Sequence, residues 1–176
     1  KGKLPFINFF DGFRTSHEYH KVEVMDMEDL RPLVDEADIK NFRDRALSPE
    51  RPVTRGTAEN PETFFTHREA CNAYYDAIPD VVEHYLGEIS KITGREYHNF
   101  SYYGAEDAEN IIILMGSATE AAREAIDHLV AEGKKVGMVA VHLYRPFSIK
   151  HLFAAVPATV KKIAVLDRTK EPGAEG

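Results

Sequence analysis

The sequence has no tryptophan, a single cysteine and no long apolar run. With only Cys71, the chain cannot form an internal disulfide and has too few thiolates to hold a zinc or iron–sulfur site by itself, which indicates an intracellular protein. No apolar stretch approaches the roughly 20 residues of a membrane-spanning helix, and no signal-peptide pattern opens the chain. We therefore predict a cytoplasmic protein without membrane contact.

Basic residues are also in deficit. The 22 lysines and arginines are outnumbered by 29 aspartates and glutamates, which gives a formal net charge of -7. A nucleic acid or an anionic membrane as partner would call for a concentrated basic patch, and neither is expected here. The eight histidines include no His-x-x-x-His pair backed by a glutamate, so no metal site is predicted.

The sequence does contain a repeated pattern of short apolar strands and helices. The runs ENIIILM, KVGMVAVHLY and KKIAVLD are nearly continuous apolar strands separated by helical segments. This order is typical of a βαβαβ unit whose parallel sheet is covered on both faces. The aromatic but half-polar run REYHNFSYY predicts an edge strand. We therefore predict an α/β fold in residues 64–176, with a three-layer, open, mostly parallel sheet and helices on both faces.

The first 63 residues follow a different pattern. The run LPFINFF at residues 4–10 has the composition of a buried strand but no obvious partner strand after it. We expect it to belong to an upstream domain, so that residues 1–47 form an extended N-terminal arm. Residues 48–63 contain three prolines and one glycine and are predicted to be a linker. Further along, we expect a helix broken or kinked near Pro79 and ended by Gly94.

The turn at Gly116 and Ser117 joins an apolar strand to a helix, an order of parts found at many nucleotide sites. It lacks both the several glycines of a dinucleotide fingerprint and the Gly-Lys-Ser/Thr of a Walker loop. Ser117 and Glu120 have the spacing of a capping box, in which each side chain accepts from the backbone N–H of the other residue. We favour such a structural turn over the alternative, a phosphate contact.

The segment DGFRTSHE offers one set of candidate substrate-pocket or domain-interface residues. The set is Arg14, Thr15, His17 and Glu18. Together they supply a guanidinium, a hydroxyl, an imidazole and a carboxylate, which suffices for acid–base chemistry if the side chains share a pocket. The alternative is a structural turn, since consecutive residues cannot all face one pocket.

The second set of candidates, His142 and Arg145, follows a central strand. Open α/β sheets bind ligands at the carboxyl ends of their strands. Arg145 would there either bind an anion or pair with an acidic side chain of a neighbouring domain, and Ser148 is predicted to cap the next helix. Residues 167–171 mix both charges and are predicted to form a solvated or domain-contacting loop.

Six stretches of the chain resemble, in order, successive blocks of the pyruvate:ferredoxin (flavodoxin) oxidoreductases, members of the 2-oxoacid:acceptor oxidoreductase family. They are FFDGFRTSHE, RPVTRGTAENPETFF, REACNAYY, NIIILMGSATEAA, VGMVAVHLYRPFS and IAVLDRTKEPGAEG. The resemblance covers essentially the whole chain. It implies the end of the family's first domain followed by its second, which is similar to the C-terminal domain of transketolase. Arg145, Pro146 and Phe147 match the family's RPF strand exit.

The resemblance further implies a homodimeric parent enzyme that uses thiamine diphosphate and Mg²⁺ to decarboxylate pyruvate oxidatively. Electrons would pass through 4Fe–4S clusters to ferredoxin or flavodoxin, and the acetyl group to coenzyme A. This chain has no Gly-Asp-Gly motif with a downstream Asn for diphosphate and Mg²⁺, and no Cys-x-x-Cys-x-x-Cys run. We therefore expect no cofactor here, no turnover by the isolated chain, and a non-catalytic role in packing against other domains. The alternative is an independent small-molecule or nucleotide-binding module.

Overall fold

The computed structural model describes residues 1–167. In chain order its helices are α1 (Arg14–His17), α2 (Met27–Leu30, continued by a 3-10 turn at Arg31–Leu33), α3 (Glu36–Asp44), α4 (Pro61–Ala70), α5 (Asn72–Thr93), α6 (Ala118–Ala131) and α7 (Ile149–Ala155). Its strands are β1 (Phe100–Gly104), β2 (Asn110–Leu114), β3 (Val136–Val141) and β4 (Lys162–Val165). None of these helices combines the length and hydrophobicity needed to cross a membrane. Most of the predicted loop at residues 167–171 lies outside the described residues.

The four strands form one sheet in the order β1-β3-β2-β4. Strands β3, β2 and β4 are parallel, whereas β1 pairs antiparallel with β3. The prediction of an α/β fold with a mostly parallel sheet is therefore confirmed, with the half-polar aromatic strand at an edge. Strand β3 lies between β1 and β2, and its apolar residues Met138 and Val139 are fully buried. An apolar composition on both faces suits such a central position.

Helices cover both faces of this sheet, as predicted. Alternate residues of β2 point to opposite faces. Ile111 belongs to a cluster with Val139 that packs against Leu152 of α7. Leu114 belongs instead to a cluster with Met138 and Ile126 of α6. The nearly continuous apolar strands thus reflect burial on two sides.

The prediction that residues 4–10 form a strand is wrong for this structure. No strand is assigned there, and Ile7 is 87% and Phe10 71% exposed. An apolar composition favours burial, but a strand also requires an adjacent backbone to pair with, and none of the four strands of the described residues provides it. The segment instead runs as extended chain ahead of α1.

The predicted break at Pro79 is also wrong. Helix α5 continues through Pro79, and the helical boundary falls earlier, at Cys71 between α4 and α5. The carbonyl of Pro79 accepts a hydrogen bond of 2.8 Å from the side chain of Asn99, so a contact from outside the helix supports this turn. The predicted stop at Gly94 is confirmed, since its φ of 69° is left-handed and its N–H donates to Ser90.

Two isoleucines paired across β2 and β4 allow a matched test of the core. Ile111 is 4% exposed and its register partner Ile163 is 52% exposed. We expect Ile111→Ala to lower the free energy of unfolding by about 2–5 kcal/mol, because it leaves a cavity between sheet and α7. Ile163→Ala should cost less than about 1 kcal/mol. Equal losses in urea unfolding would contradict this assignment of the core.

The predicted division into an arm (residues 1–47), a linker (48–63) and an α/β domain (64–176) can be tested by hydrogen exchange. We expect amides of residues 1–47 to exchange rapidly and those of β2 and β3 slowly, because the arm buries little apolar surface while the strands lie in the core. Mass spectrometry of peptic peptides measures both regions together. Protection of the arm equal to that of β3 would show one cooperative unit and contradict the division.

Candidate functional site

A cavity of about 700 Å³ lies at the carboxyl end of β3, between the arm and the α/β domain. Residues 4–7 and Phe9 line it from the arm, Tyr75 and Ile78 from α5, and residues 142–147 from the segment after β3. The structure therefore places His142 and Arg145 together on one wall. Most of the other lining residues are apolar, so His142 and Arg145 lie beside a largely hydrophobic surface.

His142 is held in a defined orientation. Its backbone N–H donates to the carbonyl oxygen of Asn99 at 2.9 Å. Its ring atom Nδ1 lies 2.8 Å from the carbonyl oxygen of His98. Because a carbonyl only accepts, Nδ1 carries the proton, and in the neutral ring Nε2 is left as an acceptor. His142, which lines the cavity, therefore keeps Nε2 as its acceptor when the ring is neutral.

The loop that carries Arg145 is anchored by aromatic contacts. The Arg145 guanidinium carbon lies 5.4 Å from the ring centre of Tyr144, within the range of a cation–π interaction. A cis peptide bond joins Arg145 to Pro146. Phe147 packs edge-to-face on Phe100, with ring centres 5.2 Å apart. The contact of Phe147 with Phe100 holds the strand exit against β1.

A buried polar network that the sequence did not reveal lies beneath this wall. Asn99 is fully buried, and its side-chain amide donates to Pro79. Glu83 accepts from the Asn99 N–H at 2.8 Å and lies 2.6 Å from Nδ1 of His98. Desolvation raises the pKa of Glu83, but the hydrogen bonds from Asn99 and His98 outweigh it and hold this pKa below its ordinary value. The network joins α5 to the start of β1 and so supports the carbonyl that orients His142.

The candidates in DGFRTSHE do not join His142 and Arg145 in the lining of this cavity. Arg14 and Glu18 form an exposed pair at 3.6 Å on α1. The His17 ring lies 2.9 Å from the carbonyl of Phe13, and Thr15 is exposed. Because α1 is a single turn, its side chains point in different directions and contact their own neighbours. The role of these four residues in a substrate pocket or a domain interface stays a prediction.

Ser148 caps α7 as predicted, since its hydroxyl accepts from the backbone N–H of His151. The same hydroxyl lies 2.7 Å from the His151 ring, whose Nε2 lies 3.2 Å from the carboxylate of Asp80. Asp80 also pairs with Lys150, whose hydrogen bond holds the pKa of that carboxyl below its ordinary value. The hydroxyl of Ser148 is occupied by the helix end. The contacts of Asp80 on α5 with His151 and Lys150 on α7 connect the two helices.

The predicted capping box at Ser117 and Glu120 is wrong. No side chain of this pair caps α6. The Ser117 N–H donates instead to Oδ2 of Asp11 at 2.6 Å, across 106 positions of sequence. Thr119 adds a bond from its hydroxyl to the carbonyl of Gly116. A distant carboxylate thus occupies the position that the sequence assigned to a local one.

Residues 1–167 bring no three His, Cys, Asp or Glu side chains close enough to share a metal ion. Among the polar groups that line the cavity, neutral His142 offers an acceptor at Nε2, and the guanidinium of Arg145 offers donors only.

Two family models match consecutive parts of the chain. Residues 1–86 match the one described as pyruvate flavodoxin/ferredoxin oxidoreductase, thiamine diphosphate-binding. Residues 108–176 match the one described as pyruvate:ferredoxin oxidoreductase core domain II. The first match ends within α5 and the second begins just before β2, so Asn99 and β1 lie in the segment between the two matches.

Curated relatives match nearly the whole chain. It is 59% identical over 173 residues to a pyruvate-flavodoxin oxidoreductase of Enterobacter agglomerans, covering 98% of this chain. It is 52% identical over 176 residues to a pyruvate:ferredoxin oxidoreductase of Moorella thermoacetica, covering 100% of this chain. The chain spans only 15% of the length of either relative. A solved 2-oxoglutarate:ferredoxin oxidoreductase from Magnetococcus marinus is 26% identical, with a TM-score of 0.45 over 61% of this chain and 16% of that one.

The carboxylate of Glu83 should stabilise the fold in a pH-dependent way. Its pKa is lowered on folding, so its contribution is fully present above the unfolded value of about 4.3 and is lost as the pH falls through the folded pKa. We expect Glu83→Gln to cost about 1 kcal/mol at pH 7, a modest figure because the carboxylate is partly exposed to solvent.

Chemical denaturation of both proteins between pH 3 and pH 7 checks this expectation. The difference in unfolding free energy should shrink steadily below about pH 4.3. Asp76→Asn on the same helix is the control, because the Asp76 side chain is exposed and its loss should leave stability unchanged. A pH-independent difference for Glu83→Gln would mean that its charge does not contribute.

Proposed function

Because the chain belongs to the pyruvate:ferredoxin/flavodoxin oxidoreductase family, we propose that it forms the non-catalytic junction between two domains of a longer enzyme of this kind. In this proposal the end of a thiamine diphosphate-binding domain packs on an α/β core domain. The observation that carries it is the cavity, whose walls come from the residues of both matched regions, 1–86 and 108–176. The chain would hold these regions at a fixed distance and orientation.

The parent reaction in this proposal is the oxidative decarboxylation of pyruvate to acetyl-coenzyme A, with electrons delivered to ferredoxin or flavodoxin. The names of the relatives support the substrate and the acceptors. Partners of the chain would then be the other domains of the parent and a second copy of it. A cytoplasmic location agrees with the single cysteine of the sequence. The likeness of the α/β domain to the C-terminal domain of transketolase remains part of the proposal.

The described residues do not fit the cofactors of that reaction. Thiamine diphosphate would require acceptors for Mg²⁺ and donors for a diphosphate, but the N-terminus of α6 is taken by the carboxylate of Asp11. A 4Fe–4S cluster requires several thiolates, and the chain has one cysteine. We therefore assign no catalytic step to these groups in this chain, and propose that other segments of the parent hold them and coenzyme A.

The six candidate residues fit best as contacts to neighbouring domains. Arg14, Thr15, His17 and Glu18 lie on the exposed arm, and His142 and Arg145 on the exposed wall of the cavity. Exposed polar groups beside large apolar side chains are typical of an interface that a larger assembly covers. In this proposal they orient domains, and the apolar lining excludes water from between them.

Pyruvate-dependent reduction of a viologen dye tests the proposal directly. We expect the purified chain to show no activity with pyruvate, coenzyme A, thiamine diphosphate and Mg²⁺ present, because in this proposal other segments of the parent hold the thiamine diphosphate and the 4Fe–4S clusters, and a single cysteine cannot hold such a cluster. The full-length pyruvate-flavodoxin oxidoreductase of Klebsiella pneumoniae, 57% identical over 175 residues of this chain, is the positive control.

Dye reduction by the purified chain that depends on pyruvate and exceeds the rate with buffer alone would contradict a non-catalytic role. So would stoichiometric iron or thiamine diphosphate bound to the chain after gel filtration.

A further inference from the structure

The bond between Asp11 and Ser117 joins the arm to the α/β domain. Oδ2 of Asp11 accepts from the Ser117 N–H at 2.6 Å, a short distance typical of a charge-assisted hydrogen bond. The two residues lie 106 positions apart and belong to the two regions matched by different family models. The contact is therefore a tertiary interaction across the predicted junction.

The turn before α6 has the shape required to receive this carboxylate. Gly116 has a φ of 76°, a left-handed conformation that favours glycine. A Cβ on residue 116 would lie only 2.7 Å from Oδ2 of Asp11. The missing side chain thus leaves the space that the carboxylate fills, as well as permitting the backbone conformation.

The electrostatics of α6 favour the same occupant. This helix has 14 residues, and the aligned peptide dipoles of such a helix place a partial positive charge at its N-terminus. The first backbone N–H groups of a helix have no partner within it, and neither Ser117 nor Glu120 supplies one through its side chain. The acceptor for Ser117 comes from the arm instead.

We propose that the N-terminus of α6 is a docking surface for the acidic turn at Asp11 and Gly12, and that this clasp fixes the arm on the α/β domain. Helix α1 begins at Arg14, three residues after Asp11. The clasp therefore sets where Arg14, His17 and Glu18 lie relative to the sheet. Asp11 is in this sense a positioning residue, which acts through the segment that follows it.

The clasp adds a specific contact to the proposed packing role, and its role in the longer enzyme rests on that proposed function. Its test measures the contact itself, in the purified chain of 176 residues, and uses no pyruvate assay. A chain that is catalytically active but clasped, or inactive but unclasped, would separate the two proposals.

Amide exchange with water, measured by NMR at the Ser117 N–H, tests the contact from one side. We expect Asp11→Ala to accelerate exchange at Ser117 by roughly fivefold or more, because the amide loses its acceptor. Asp26→Ala is the matched control. Asp26 also belongs to the arm and precedes a helix, α2, but its side chain does not cap that helix. It should leave Ser117 unchanged.

Substitution of Ser117 tests the contact from the other side. Ser117→Pro removes the donor hydrogen, and the φ of Ser117, -64°, already suits proline. Ser117→Ala keeps the N–H and removes only a side chain that caps nothing. We expect Ser117→Pro to shift the resonances of residues 12–18 as Asp11→Ala does, whereas Ser117→Ala leaves them in place.

Equal resonance shifts in residues 12–18 from Ser117→Pro and Ser117→Ala would overturn the clasp. An amide exchange rate at Ser117 that is unchanged by Asp11→Ala would overturn it as well. If Ser117→Pro also moves the resonances of β2 and β3, the proline has disturbed the domain. The comparison of Asp11→Ala with Asp26→Ala then decides alone, since neither residue lies within α6 and neither change alters its backbone.

Discussion

The parallel pairing of β2 with β3 is the interaction on which the rest of this structure depends. Both strands are apolar on both faces, so each face must be covered, and α6 and α7 do this from opposite sides. The shared register, with Leu114 opposite Ala140, brings the chain out of both strands at the same edge. That edge therefore carries both the Gly116–Ser117 turn and the segment with His142 and Arg145. The docking of the arm and the position of the cavity follow from this one arrangement.

The contacts between arm and α/β domain combine two kinds of interaction. Apolar residues of the arm line one wall of the cavity and remain largely exposed, so they supply surface that a further domain can bury. The Asp11 carboxylate fixes the position of the arm, because a hydrogen bond to one backbone N–H is directional and an apolar contact is not. An interface inside a long enzyme needs both, since burial contributes affinity and the polar contact fixes the geometry. This division agrees with a junction that positions domains and leaves chemistry to other segments.

The buried polar network around Asn99 connects α5 to the start of β1. Asn99 is fully buried, and a buried amide without partners would destabilise the fold. Its backbone N–H donates to Glu83 and its side-chain NH2 donates to the carbonyl of Pro79, which ties the long helix α5 to the edge strand, whereas its side-chain oxygen Oδ1 is buried without a hydrogen-bond partner. The neighbouring carbonyl of His98 then orients the His142 ring. The network thereby supports the contact that orients the His142 ring.

The sequence by itself determined the parts of this protein whose causes are local. Apolar runs identified β2, β3 and β4, the half-polar aromatic run identified the edge strand, and Gly94 ended α5, because periodicity, composition and a left-handed glycine act within a few residues. Only the tertiary structure decided the features that depend on distant partners. In the tertiary structure residues 4–10 pair with no strand, and α5 continues through Pro79. The acceptor for the Ser117 N–H is the carboxylate of Asp11 and not that of Glu120. A sequence pattern names groups that need partners, but which group meets them is fixed by packing over long separations.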